Sequence, residues 1–146
     1  MTRTARKRAI LLALAVTVLS GCETSATQPP AAATFSQVYA AMFPVHTKGQ
    51  CTFCHSNPPN DISNGKLSTG ADQATAYAAL VNAPSVSKHC AGKKLVVAGH
   101  PEQSLFYLKF IEPAPCGDRM PLGGDALTAA QLEMVRSWIA AGAKDD

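Results

Sequence analysis

Cys51-Thr52-Phe53-Cys54-His55 holds two thiols two residues apart, followed at once by an imidazole. C-x-x-C-H is the pattern of c-type haem attachment. Each thiol adds its sulfur and hydrogen across a porphyrin vinyl group, and the short spacer lets both sulfurs reach one porphyrin edge. The histidine then falls under the iron as its axial donor. Three other uses of such cysteines were weighed. A zinc site needs a second close ligand pair, and Cys90 and Cys116 stand alone. A thioredoxin-like redox pair needs a βαβ setting, which is missing here. A disulfide between Cys51 and Cys54 would be strained. One covalent haem c, held by Cys51, Cys54 and His55, is the expectation.

An iron so held needs a sixth ligand or a vacancy. Met120 is the first candidate. It lies 65 residues after His55, in the run Gly117-Asp118-Arg119-Met120-Pro121-Leu122-Gly123-Gly124. Methionine most often fills gaps in cores, but one set among turn residues just before the last helix is oddly placed for that. Its thioether is a soft donor that favours Fe(II), so His/Met ligation raises the reduction potential. His100, before Pro101 at an expected helix start, is the main rival. His46 and His89, in loops near cysteines, are weaker ones.

The elements that position these residues follow an N-terminal segment read as a signal. Arg3, Arg6, Lys7 and Arg8 precede an apolar run over residues 9–19, too short for a comfortable membrane span. An uncleaved anchor helix is the alternative. Leu19-Ser20-Gly21-Cys22 resembles a bacterial lipobox, which implies cleavage after residue 21 and lipid on Cys22. An ordinary signal that happens to contain a cysteine is the other reading. The chain carries 13 Lys and Arg against 10 Asp and Glu; four of the basic residues lie in the signal, so the mature chain is near −1. That balance gives no electrostatic case for nucleic acid. Cys90 and Cys116 are left over in an oxidising compartment, where a disulfide is expected and two buried thiols are the alternative. The bridge would contribute roughly 3–4 kcal/mol in the chain-entropy model.

Residues 22–33 read as a small, polar, proline-containing tether, and residues 34–146 as one domain. Phe35, Val38, Tyr39 and Met42 predict a first helix, capped by Thr34 or Ser36 and ended by Pro44. Residues 57–64 are turn chemistry. Residues 71–81 predict a second helix stopping at Pro84, and residues 94–98 a short extended stretch. A third helix is expected over residues 101–110. A final helix opens at Thr128, with Thr128 and Gln131 at capping-box spacing and Gly142 as its stop.

With these pieces in place, the chain resembles class I mono-haem cytochrome c domains, closest to the planctomycete-type domains of exported bacterial proteins. The matching stretches are Cys51 to His55, Gly65-Lys66-Leu67, the run Ala98-Gly99-His100-Pro101-Glu102-Gln103-Ser104-Leu105-Phe106-Tyr107, Arg119-Met120-Pro121-Leu122-Gly123-Gly124, and residues 127–143. The resemblance implies a mostly α domain, a small cytochrome c-like helical fold wrapped around one covalent haem with long loops. It implies Met120 as distal ligand, and places His100 where the family usually has Asp or Asn. Cys90 and Cys116 lie outside the family pattern, where they could pin the Met120 loop. The first helix should cross the last, with Trp138 in the core of that crossing.

The function expected is electron carriage rather than enzyme catalysis, by an exported lipoprotein whose partner is a redox protein of unknown identity. A haem-based sensor or small-ligand binder, or the haem subunit of a larger oxidoreductase, are the alternatives. Glu23 after Cys22 favours the outer membrane, facing the periplasm, over the inner. The haem-free chain is expected to be poorly folded.

Overall fold

The computed structural model describes residues 31–56, 67–70 and 72–146. The signal segment, Cys22, most of the tether, the turn at 57–64 and Gly65-Lys66 therefore lie outside the described residues. Helix takes 41% of those described and no sheet forms among them, which makes the domain mostly α. None of their helices is long and apolar enough to cross a membrane.

Helix α1 (Phe35–Met42) starts where Thr34 can cap it. The Thr34 side chain accepts from the Gln37 N–H, and the Gln37 side chain takes the Thr34 N–H in return. The helix ends before Pro44: Phe43 keeps helical geometry and its N–H bonds to the Tyr39 carbonyl, but Pro44 has no N–H with which to continue the ladder. Helix α2 (Cys51–His55) carries the cysteine motif. Helix α3 (Gln73–Leu80) is capped by the Asp72 carboxylate on the Thr75 N–H. It stops short of Pro84 because Val81 leaves to form a parallel bridge with Val96.

The expected helix over 101–110 is interrupted. It divides into a 3-10 turn, Pro101–Gln103, and helix α4 (Leu105–Leu108). Buried Ser104 sits at the break: its hydroxyl accepts from the Val97 N–H at 2.9 Å and donates to the His100 carbonyl at 2.8 Å. The next two N–H groups are drawn outward as well, Leu105 to Lys94 O at 3.1 Å and Phe106 to Leu95 O at 2.8 Å. Polar partners in the 94–97 stretch thus compete with helical hydrogen bonds and win.

Helix α5 (Ala129–Ala140) has the Thr128–Gln131 capping box, and Gly142 follows it at φ +105°, a conformation that glycine adopts without a Cβ penalty. Helix α1 packs on both α3 and α5. Phe35 is the centre of that packing, with ring centroids 4.9 Å from Trp138 and 5.2 Å from Tyr77. Trp138 is buried, and its indole N–H finds the Lys144 carbonyl at 2.9 Å. Side chains of this size contribute about 1.5–3 kcal/mol each on full burial. The last residue closes the seam: Asp146 accepts from the Phe35 N–H at 2.9 Å and from the Ser36 N–H at 3.0 Å.

Candidate functional site

Helix α2 is short and has no side-chain cap of its own, so its neighbours must hold it. Gln50 precedes it at φ +47°. Gly49 lies so close to α1 that a Cβ there would stand 2.3 Å from the Met42 carbonyl oxygen, which only glycine avoids. Thr52 then bonds twice to the Phe43 carbonyl, through its N–H at 3.0 Å and its hydroxyl at 2.7 Å. The cysteine motif is thereby fastened to the end of α1.

His55 is held from the other side by the 67–70 stretch. Its carbonyl accepts from the Thr69 N–H at 2.7 Å and the Thr69 hydroxyl at 2.9 Å. Its ring Nδ1 lies 3.1 Å from the Leu67 carbonyl oxygen. A carbonyl can only accept, so Nδ1 carries the hydrogen and Nε2 the lone pair. That is the tautomer and the outer partner a metal-ligating histidine uses.

Cys51, Cys54 and His55 line a cavity of about 830 Å³. Its walls are largely apolar, with Leu67, Leu80, Leu95, Leu105, Phe106 and Phe110 among them. Met120, 65 residues beyond His55, lines the same cavity. Among the described residues, neither motif cysteine is in a disulfide. Burial pushes the Cys51 thiol up to about 12, with the adjacent Cys54 adding to the rise. As a thiolate nucleophile this sulfur is suppressed in the folded chain.

A haem fits these residues. The volume falls in the usual range of cofactor pockets, about 300–1,000 Å³. The donor set is also suitable: two thiols for vinyl addition, one imidazole of defined tautomer, and one thioether. Among the described residues no three His, Cys, Asp or Glu side chains gather as a metal-ion site.

The sulfurs of Cys90 and Cys116 are 2.07 Å apart, at disulfide distance. The pair joins the 3-10 turn Lys88–Cys90 to the start of the Met120 loop. That loop is tied elsewhere as well. The Met120 N–H donates to the Lys109 carbonyl at 2.7 Å. Arg119 pairs with Glu112 at 3.2 Å and donates to the carbonyls of Met120 and Gly124 at 3.2 and 2.9 Å.

The rival histidines separate. His89 lines the cavity, whereas His46 and His100 do not. Exposed His100 is engaged with Glu102, 3.1 Å away, and with Gln103. Sequence reasoning ranked His100 above His89; only the fold of the 85–95 segment brings His89 to the wall. Lys109 was likewise missed, since no local pattern marks a lysine that reaches carbonyls further along the chain.

No protein-family model, curated protein or solved structure matches the chain.

Proposed function

We propose that this chain is a c-type cytochrome: an exported, lipid-anchored carrier of single electrons with a cytochrome c-like fold and one covalent haem. One observation carries the reading: Cys51, Cys54 and His55, together with Met120 65 residues further on, line one largely apolar cavity of cofactor size. A haem held there would supply a single Fe(III)/Fe(II) couple. Cys51 and Cys54 would tether it as thioethers, and His55 Nε2 and the Met120 sulfur would be its iron donors. The Leu67–His55 hydrogen bond keeps the imidazole in one orientation. Apolar walls around the iron would favour the less charged state of the site and so also raise the potential.

Two apolar side chains of the cavity wall stay open to solvent, Phe53 at 58% and Leu122 at 67% exposure. They make an apolar rim where a redox partner protein would approach. Lipid on Cys22 would hold the domain at the membrane, on the periplasmic side and in the outer membrane by the Glu23 argument.

The test is mass spectrometry and spectroscopy of the full chain made in a haem-attaching host. Expected are the added mass of one haem, lipid on Cys22, and a ferric sulfur-to-iron charge-transfer band that Met120→Ala abolishes. A chain recovered without haem overturns the reading. High-spin ferric iron that binds CO readily on reduction would make the protein a ligand binder or sensor. Stable co-purification with a dehydrogenase or oxidase would make it a subunit of that complex.

A further inference from the structure

Lys109 follows directly on α4, whose first N–H groups are bound to Lys94 and Leu95, so its backbone is fixed from behind. It is joined to the Met120 loop in three ways. Its own carbonyl accepts the Met120 N–H at 2.7 Å. Its ammonium donates to the Cys116 carbonyl at 2.8 Å, and also to the Asp118 carbonyl. The same side chain lines the cavity beside Met120. One residue thus grips the loop at 116, 118 and 120, alternate positions leading up to the sulfur-bearing side chain.

We propose that Lys109 is the positioning residue for Met120, fixing the loop so that the thioether is presented to the cavity in one place. The inference rests on Met120 serving as axial donor. An ammonium bonded to neutral carbonyls makes charge-assisted hydrogen bonds, stronger than neutral ones and hard for water to replace in a partly buried position. Among the described residues the loop has two other side-chain ties, one of them Arg119 on the carbonyls of Met120 and Gly124. The Cys90–Cys116 bridge fixes its beginning, and Arg119 braces its far side against exposed Glu112. Lys109 is bonded both to the carbonyls of Cys116 and Asp118 and to the Met120 N–H. A lysine that merely stabilised the fold would act on melting and leave the donor's hold unaltered.

The test uses the haem-loaded full chain with Lys109→Met, which keeps the stem and removes the three N–H donors, and Lys109→Arg, which restores charge and donors. Lys109→Gln, with part of the donor capacity, carries the test if Lys109→Met fails to fold. Thr128→Ala, which removes a side chain bonded to Gln131 rather than to the loop, is the control for simple loss of stability. In Lys109→Met the charge-transfer band should weaken and added imidazole should bind at least about tenfold more tightly, the effect of losing the two charge-assisted bonds to Cys116 and Asp118. Amide exchange should rise across residues 116–124. Lys109→Arg should recover part of each change, and Thr128→Ala should show none of them.

Wild-type imidazole affinity and loop exchange in Lys109→Met would overturn the proposal, as would equal changes in Thr128→Ala. The two levels of reading fail differently. If the wild-type protein lacks the band, or Met120→Ala retains it, Met120 is not the donor and the inference falls with that reading. If Met120→Ala abolishes the band and Lys109→Met leaves it untouched, only the role of Lys109 falls.

Discussion

The helical seam and the cavity wall are held together by different means. Where α1 meets α3 and α5, Phe35, Val38, Met42, Val135, Trp138 and Ile139 are buried almost completely, and the contacts are side chain on side chain. Around the cavity, the wall is made largely of short turns and loops. These are held by point attachments: a cysteine bridge, a lysine on two carbonyls, an arginine on two more, and one threonine bonded twice to the His55 carbonyl. The seam is self-sufficient because it fills its own volume. The wall encloses about 830 Å³ that its own side chains do not fill, and this is where a cofactor would contribute packing.

The strongest way to break this contrast is to withhold the haem. A Cys51→Ala, Cys54→Ala chain should lose cooperative melting and show fast amide exchange throughout the wall, with residual helix signal confined to α1 and α5. Native helix content with a sharp thermal transition would show that the wall stands alone. Next in size, Phe35→Ala should destabilise the loaded protein by about 3–5 kcal/mol in denaturant titration, as large-to-small core changes do. It should leave the charge-transfer band intact below the transition. Replacing both Cys90 and Cys116 by serine should remove roughly 3–4 kcal/mol. Unlike Phe35→Ala, it should also raise imidazole affinity, because it loosens the Met120 loop. Smallest is Thr128→Ala, which should lower stability by about 1 kcal/mol through the lost cap, with no spectral change. Should the core variant alter the haem spectrum as much as the bridge variant does, the two regions are not separable.

The seam was legible in the sequence. Apolar spacing at Phe35, Val38 and Met42, the Thr128–Gln131 box and the Gly142 stop are local signals, and each works locally in the structure. The cysteine motif was legible for the same reason, since five consecutive residues carry its chemistry. Of what depends on chain crossing, the packing of α1 on α5 around Trp138 and the Cys90–Cys116 pair were expected, and the finer contacts were not. Ser104 breaks a well-patterned helix only because residues 94–97 lie beside it and their backbone groups bond to Ser104, Leu105 and Phe106. Gly49 is required only because the chain folds back on Met42. His89 enters the cavity wall, and His100 stays out, through the path of the 85–100 segment, which no residue pattern announces. Thr69, holding the His55 carbonyl, carries no sequence signature that separates it from any other loop threonine.

Asp146 meets the first turn of α1, bonded to the N–H groups of both Phe35 and Ser36. The two ends of the described domain are therefore neighbours in space, and the covalent order of its elements can be rewritten. Joining residue 146 to residue 34 through a few flexible residues, and reopening the chain at the exposed 125–126 position, yields a circular permutant in which α5 leads and the Met120 loop ends the sequence. In that permutant the Met120 loop would no longer be strung between two helices along the chain. Its placement would be left to the cysteine bridge and the two cationic side chains, separating by connectivity what the native order does jointly.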